Sequence, residues 1–76
     1  MPHAYIVRTA NYYGAGATMD EAKAACIAAG GGFNIKAHGF TCHRATGDWT
    51  IHPIDGTLTA TGEIEKVTDA RKKRGR

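Results

Sequence analysis

One segment of this chain has the pattern of an α-helix, and it limits what the other residues can form. Residues 18–32 read TMDEAKAACIAAGGG. Thr18 can cap the first turn, and Glu21 three residues later completes a capping box. Small or apolar residues then recur at helical spacing and form one stripe, Met19, Ala22, Cys26 and Ala29.

The helix must dock on another element, because a helix this short is not stable alone in water. The three glycines at 30–32 are expected to end it. Its small side chains would let it lie close to a sheet. The segment therefore predicts one helix packed on a β-sheet.

The remaining segments read mainly as strands and connections. Residues 3–10, HAYIVRTA, are rich in aromatic and β-branched residues and predict a first strand. Residues 11–17, NYYGAGA, predict a loop that exposes Tyr12 and Tyr13 as aromatic anchors for a partner. Residues 32–40 predict a short strand or an extended connection, and residues 62–70 a last strand or a short helix.

Residues 41–61, TCHRATGDWTIHPIDGTLTAT, predict a three-stranded meander with turns at 47–48 and 55–56. Two-residue loops would place His43 opposite His52, and Thr50 opposite Thr61. One face would be apolar, with Phe40, Cys42, Trp49, Ile51, Leu58 and Ala60. The other would be polar, with Thr41, His43, Ala45, Thr50, His52, Thr57, Thr59 and Thr61. We expect the apolar face to cover the helix and the polar face to meet a partner.

The residues whose side chains could bind a metal or take part in catalysis do not converge on one site. Two facing imidazoles at His43 and His52 can bind a transition metal, but no third ligand is placed beside them. We therefore favour a hydrated polar face. Cys26 and Cys42 lack zinc-site spacing, and no carboxylate pair or Walker lysine is present. We expect a protein that is not an enzyme and has no cofactor.

The charge is concentrated at the C-terminus. The formal net charge is +3, yet the first 70 residues hold five Lys or Arg against seven Asp or Glu. We predict a single domain at 1–69 and a basic mobile tail at 70–76. The tail can contact DNA or RNA phosphates without reading sequence, or it is only a solubilising end. Its basic residues nearest the domain are Arg71, Lys72, Lys73 and Arg74.

No run of 18 apolar residues and no signal-peptide pattern is present, so we expect a cytoplasmic protein without membrane contact.

The order of several short motifs resembles a known family. AYIVR is followed by ATMDEAKAACIA, HGF, a GDW hairpin and a DG turn. That order is similar to a small phage-encoded anti-CRISPR protein that inhibits the type I-F Cascade surveillance complex. The resemblance covers roughly residues 4–62 and rests on structural positions: Tyr5, Ile6, Val7, Ala22, Lys23, Gly39, Trp49 and Gly56.

The resemblance implies inhibition by binding. Such proteins dock on the Cascade backbone subunits along the groove that receives target DNA, and they block hybridisation to the guide RNA. Arg8, Lys36 and Arg44 occupy comparable polar or basic positions and are the expected contacts. The tail has no counterpart in that family, and the chain lacks the dense acidic surface of inhibitors that imitate DNA.

We therefore predict an α+β fold, a twisted antiparallel sheet of four to five strands with one α-helix packed on one face. The expected function is inhibition of type I Cascade by blocking target DNA binding. The alternative is a small nucleic-acid-binding accessory protein that acts through its basic tail.

Overall fold

The fold is an antiparallel sheet with a helix on one face, as the computed structural model shows for residues 5–52 and 57–70. The elements are β1 (Tyr5–Arg8), β2 (Tyr13–Gly16), α1 (Met19–Cys26), a kinked segment (Ile27–Gly31), α2 (Gly32–His38), β3 (Thr41–Ala45), β4 (Trp49–Ile51), β5 (Leu58–Ala60) and β6 (Ile64–Asp69). Four strands form the main sheet in the order β2-β1-β3-β6, and β4 pairs with β5 in a second, smaller sheet. The predicted α+β fold class is confirmed.

The predicted start of α1 is confirmed by its hydrogen bonds. The N–H of Glu21 donates to the Oγ1 of Thr18 at 3.2 Å, and the N–H of Ala17 donates to the Glu21 carboxylate at 3.1 Å. The Glu21 side chain thus accepts from Ala17, the residue before the N-cap Thr18, and not from Thr18 itself. The first bond satisfies a backbone donor that the first helical turn leaves unpaired, and the second fixes the residue that precedes the cap.

The end of the helix differs from the prediction. The chain turns at Gly30, whose φ of 118° suits glycine, and then continues as α2 rather than as an extended connection. The bend brings Ile35 onto the core, while Phe33 stays largely exposed. It also removes Ala29 from the buried stripe, so that only its earlier members pack inward.

The predicted loop at 11–17 is wrong over its second half, which forms β2 and pairs with β1. Gly14 and Gly16 face α1. A Cβ at Gly14 would overlap the backbone N of Cys26 and lie 2.6 Å from the carbonyl O of Ala22. The helix therefore rests directly on the backbone of β2, which only glycine permits.

The core lies between α1 and the sheet. Val7, Ala22, Cys26 and Cys42 are fully buried there, and Tyr5, Met19, Ile35 and Phe40 pack around them. Phe40 and Cys42 thus reach the helix as predicted. Both cysteines are free, and burial raises the pKa of each thiol, as expected for small buried hydrophobic groups.

The segment predicted as a three-stranded meander instead forms three of the four strands of one long hairpin. β3 pairs with β6, and β4 continues the same antiparallel alignment with β5. Backbone bonds join the two halves, from Thr46 to Glu63 at 3.0 Å, Gly62 to Thr46 at 2.9 Å and Thr61 to Asp48 at 2.8 Å. β3 and β4 are therefore not partners, so the first pairing of the predicted meander is wrong, whereas the predicted pairing of β4 with β5 is confirmed.

Threonine hydroxyls explain why the chain does not reverse at 47–48. The Oγ1 of Thr46 accepts the N–H of Glu63 at 2.7 Å, and the Oγ1 of Thr61 accepts the N–H of Asp48 at 2.9 Å. These bonds hold the two arms together across the interruption, where Gly47 takes a φ of 76°. The glycine permits a kink in the hairpin, and it does not form a turn between neighbouring strands.

The outer part of the hairpin keeps the predicted alternation with a different register. Thr50 lies opposite Thr59, with 2.8 Å between their hydroxyl oxygens, two positions away from the predicted partner Thr61. A two-residue shift preserves the faces, so the apolar residues still share one side. They belong to the separate small sheet and are not part of the core under α1. The predicted turn at 55–56 lies outside the described residues.

Candidate functional site

The sheet has a second face, turned away from α1, that brings together several side chains expected to bind a partner. Arg8 lies opposite Tyr13 across β1 and β2, and His43 lies between Ile6 and Lys66. We call this surface, defined by Arg8, Tyr13, His43 and Lys66, the distal face. Its centre at Ile6 is fully buried, whereas Tyr13 is 47% exposed. Ile6 is therefore covered, and the accessible groups of the distal face are the side chains around it.

A β-bulge arranges the charges on the β6 side of the distal face. The register between β3 and β6 shifts at 42–43, which leaves Val67 as the extra residue on β6. As a result Lys66 and Asp69 point to the same side, and the Lys66 Nζ lies 3.4 Å from the Asp69 Oδ2. Bulges commonly redirect side chains in this way.

His43 lies in an unfavourable position for a positive charge. Its Nδ1 is buried and has no hydrogen-bond partner within the described residues. Burial lowers the pKa of His43, and the positive charges of Arg8 and Lys66 lower it further, while Asp69 raises it. His43 is therefore neutral at neutral pH and separates two cations.

We expect this histidine to make stability depend on pH. Its pKa is lower in the folded chain than in the unfolded one, so the unfolded state binds more protons below about pH 6.5. The free energy of unfolding should consequently be highest above that pH and decrease as the pH falls. Chemical unfolding measured across this range should show a smaller decrease for His43→Gln than for the wild type.

His52→Gln, which removes an imidazole from the other sheet, is measured for comparison. An unchanged pH dependence in His43→Gln would contradict the assignment.

The predicted pair of facing histidines does not exist. His43 is in the main sheet, opposite Ile6 and Lys66. His52 follows β4 in the small sheet, where its backbone N–H donates to the carbonyl of Thr57. The prediction failed because it rested on pairing β3 with β4. Within residues 5–52 and 57–70, no three His, Cys, Asp or Glu side chains form a group that could hold a metal ion.

The other expected contact residues are spread over the fold. Tyr12 lies against the turn at Gly30, on the helix side of the sheet, and so is separated from Tyr13. Arg44 is in register with Tyr5 on the helix side, where its guanidinium lies 3.2 Å from the exposed carboxylate of Glu65. Lys36 is in the last turn of α2. The tail residues Arg71, Lys72, Lys73 and Arg74 lie outside the described residues.

Lys66 and Asp69 were missed as site residues. The sequence of residues 62–70 predicts either a strand or a short helix. It gives no sign of the bulge that places Lys66 and Asp69 on the same side as His43. Only the pairing of β6 with β3 reveals that grouping.

The chain matches no protein-family model, no curated protein and no solved structure. In the described part of the chain, neither helix has the length and apolar character that crossing a membrane requires.

Proposed function

We propose that this chain is a non-enzymatic inhibitor that docks on the backbone subunits of a type I Cascade complex and blocks target DNA binding. The choice of partner comes from the family resemblance. The observation that supports a docking role is the two-sided sheet: α1 covers one face, and the distal face presents Tyr13 and Lys66 at its rim. A phage-encoded origin and action inside a bacterial host cell belong to the same proposal.

The chemistry of the distal face fits a surface that contains nucleic acid. A guide strand along the Cascade groove would offer phosphates to Arg8 and Lys66, and the exposed ring of Tyr13 would supply an aromatic anchor. The described residues include five Lys or Arg and six Asp or Glu, so the domain is close to neutral. Docking would therefore depend on local complementarity, since the domain lacks the charge density needed to imitate DNA.

A second candidate is a small nucleic-acid-binding accessory protein that acts through the basic tail. The observation that favours it is the hydrogen bond from the Ala70 N–H to the Phe40 carbonyl at 2.9 Å. This bond fixes the last described residue at the edge of the main sheet, beside the end of β3 that pairs with β1 at Arg8. Arg71, the first basic residue of the tail, follows one peptide bond later. Its charges and Arg8 therefore begin at the same end of the sheet.

A pull-down of purified type I-F Cascade with the full chain and with a variant that lacks residues 71–76 tests the two candidates. The inhibitor proposal expects both forms to retain Cascade and both to reduce binding of a labelled target duplex. The deletion should weaken retention only a few-fold, because exposed charges add mainly to association rate.

A parallel gel-shift assay with the isolated protein and the same duplex provides the comparison. No retention of Cascade, combined with a tail-dependent shift of free DNA, would contradict the inhibitor proposal and support the accessory protein.

A further inference from the structure

A cleft of about 300 Å³ lies at one end of the main sheet, where the end of β1 meets the connection from α2 to β3. Residues 8–10 at the end of β1 line one side, and residues 38–41, from the end of α2 to the start of β3, line the other. We call it the Arg8 cleft. Its volume is at the lower end of the range for small-molecule sites, so it suits one group of about nucleotide size.

Short-range hydrogen bonds hold the rim of the Arg8 cleft in place. The Thr9 N–H donates to the Tyr12 carbonyl at 2.8 Å, and the Tyr12 N–H donates to the Thr9 hydroxyl at 3.0 Å. On the opposite side, the Gly39 N–H closes α2 on the Ile35 carbonyl at 2.9 Å. The cleft is therefore bounded by ordered backbone on both sides.

The lining residues favour an anion that carries an aromatic or apolar group. Arg8 offers a guanidinium fork, which matches phosphate oxygens, and His38 and Thr41 offer further donors. Phe40, which also packs against the core, contributes the exposed part of its ring, and the Lys23 Nζ lies 5.1 Å from the ring centroid, which adds positive potential nearby. Among the residues that the structure describes, no Asp or Glu lines the cleft.

Two features oppose an anion, and both are partly compensated. The last carbonyls of α2 carry partial negative charge, which Lys36 in the same turn offsets. Asp69 is in register with Thr41, and its carboxylate lies 3.4 Å from the Lys66 ammonium. Neither feature places an uncompensated negative charge in the lining.

We infer that the Arg8 cleft binds a phosphate monoester attached to a planar ring, either a free mononucleotide or the phosphorylated end of a nucleic-acid strand. Arg8 and Thr41 hold the phosphate, and the ring lies against Phe40. This inference shares Arg8 with the Cascade proposal, but it is tested separately because it concerns the isolated protein.

Amide chemical shifts of the isotope-labelled full chain, titrated with thymidine monophosphate, thymidine and inorganic phosphate, test the inference. We expect saturable shifts at Thr9, Gly39 and Thr41 with the nucleotide, weaker shifts with phosphate and none with thymidine. Arg8→Gln should weaken nucleotide binding about tenfold or more, because it removes the charged fork. Thr41→Val should weaken it several-fold while keeping a good strand former at that position.

The matched control is Arg44→Gln, which removes the same charge from the helix side of the sheet and should keep affinity within about twofold. A 5′-phosphorylated octathymidine and its unphosphorylated form separate the two sources of ligand. Tighter binding of the phosphorylated strand than of the nucleotide assigns a strand end, and the reverse order assigns a free nucleotide. Absence of saturable shifts at the cleft, or equal losses in the Arg8 and Arg44 variants, would overturn the inference.

Discussion

Replacing Gly14 with alanine is expected to destabilise the fold by at least about 3 kcal/mol. The added Cβ would overlap the backbone N of Cys26 and lie 2.6 Å from both the Ala22 carbonyl O and the carbonyl C of Ala25. All three are helix backbone atoms, so no side chain can rotate away to make room. The methyl group would force α1 off β2 and open the core around Val7 and Cys42. A domain of this size has little stability to lose.

The matched control for this substitution is Gly32→Ala. Gly32 has a φ of −59°, and the nearest described atom to an added Cβ there would be the Ile27 Cγ2, at 3.5 Å. Alanine should therefore stabilise the chain by roughly 0.5–1 kcal/mol through its better helix propensity. Urea unfolding followed by circular dichroism gives both values. A Gly14→Ala variant within about 1 kcal/mol of the wild type would show that α1 does not rest on the backbone of β2.

The helix and the fold class could be predicted from the sequence because local interactions determine them. The Thr18 cap and the alanine-rich turn that follows act within a few residues. The alternation of apolar and threonine residues at 49–51 and 58–60 likewise survives in the structure, since it depends only on the pleat.

The pairing of strands could not be predicted, because it depends on residues that carry little pattern. The sequence of β2 suggests a loop because two of its four residues are glycine. The reason for these glycines is the close approach of α1, which only the structure shows. The Gly-Asp pair at 47–48 is compatible with a turn and with a kink, so the sequence suggests a turn. The Thr46 and Thr61 hydroxyls that stabilise the kink are far apart in sequence. Both errors follow from long-range contacts.

The distal face was predictable only as separate residues. Arg8, Tyr13 and His43 were each expected to contact a partner, and the register of β1 with β2 and β3 brings them together. Lys66 joins them through the bulge in β6, while Arg44 turns to the helix side. A one-residue change of register decides which side of a sheet each charge occupies, and sequence alone does not determine that register.

Reversing the two cations of the distal face is expected to weaken partner binding at least about tenfold, since like charges brought together at an interface cost several kcal/mol. The double variant Arg8→Glu with Lys66→Glu places negative charge on both sides of His43, where a phosphate-rich partner would lie. The second substitution also replaces the ammonium beside Asp69 with a carboxylate, which removes the local ion pair. Such an exposed pair contributes little to stability, so the fold should survive.

The control is Arg44→Glu with Lys23→Glu, which changes the net charge by the same amount on the helix side. It too removes one exposed ion pair, with Glu65, and one cation contact, with the Phe40 ring. This variant should bind within about threefold of the wild type. The two double variants therefore differ mainly in which face of the sheet carries the reversed charge.

The most direct measurement is the affinity of each double variant for purified type I-F Cascade, determined by surface plasmon resonance at fixed ionic strength. A distal-face docking mode predicts that the Arg8 and Lys66 reversal greatly weakens binding and that the Arg44 and Lys23 reversal leaves it nearly intact. Equal affinities for the two variants, or a larger loss on the helix side, would contradict the assignment of the distal face as the docking surface.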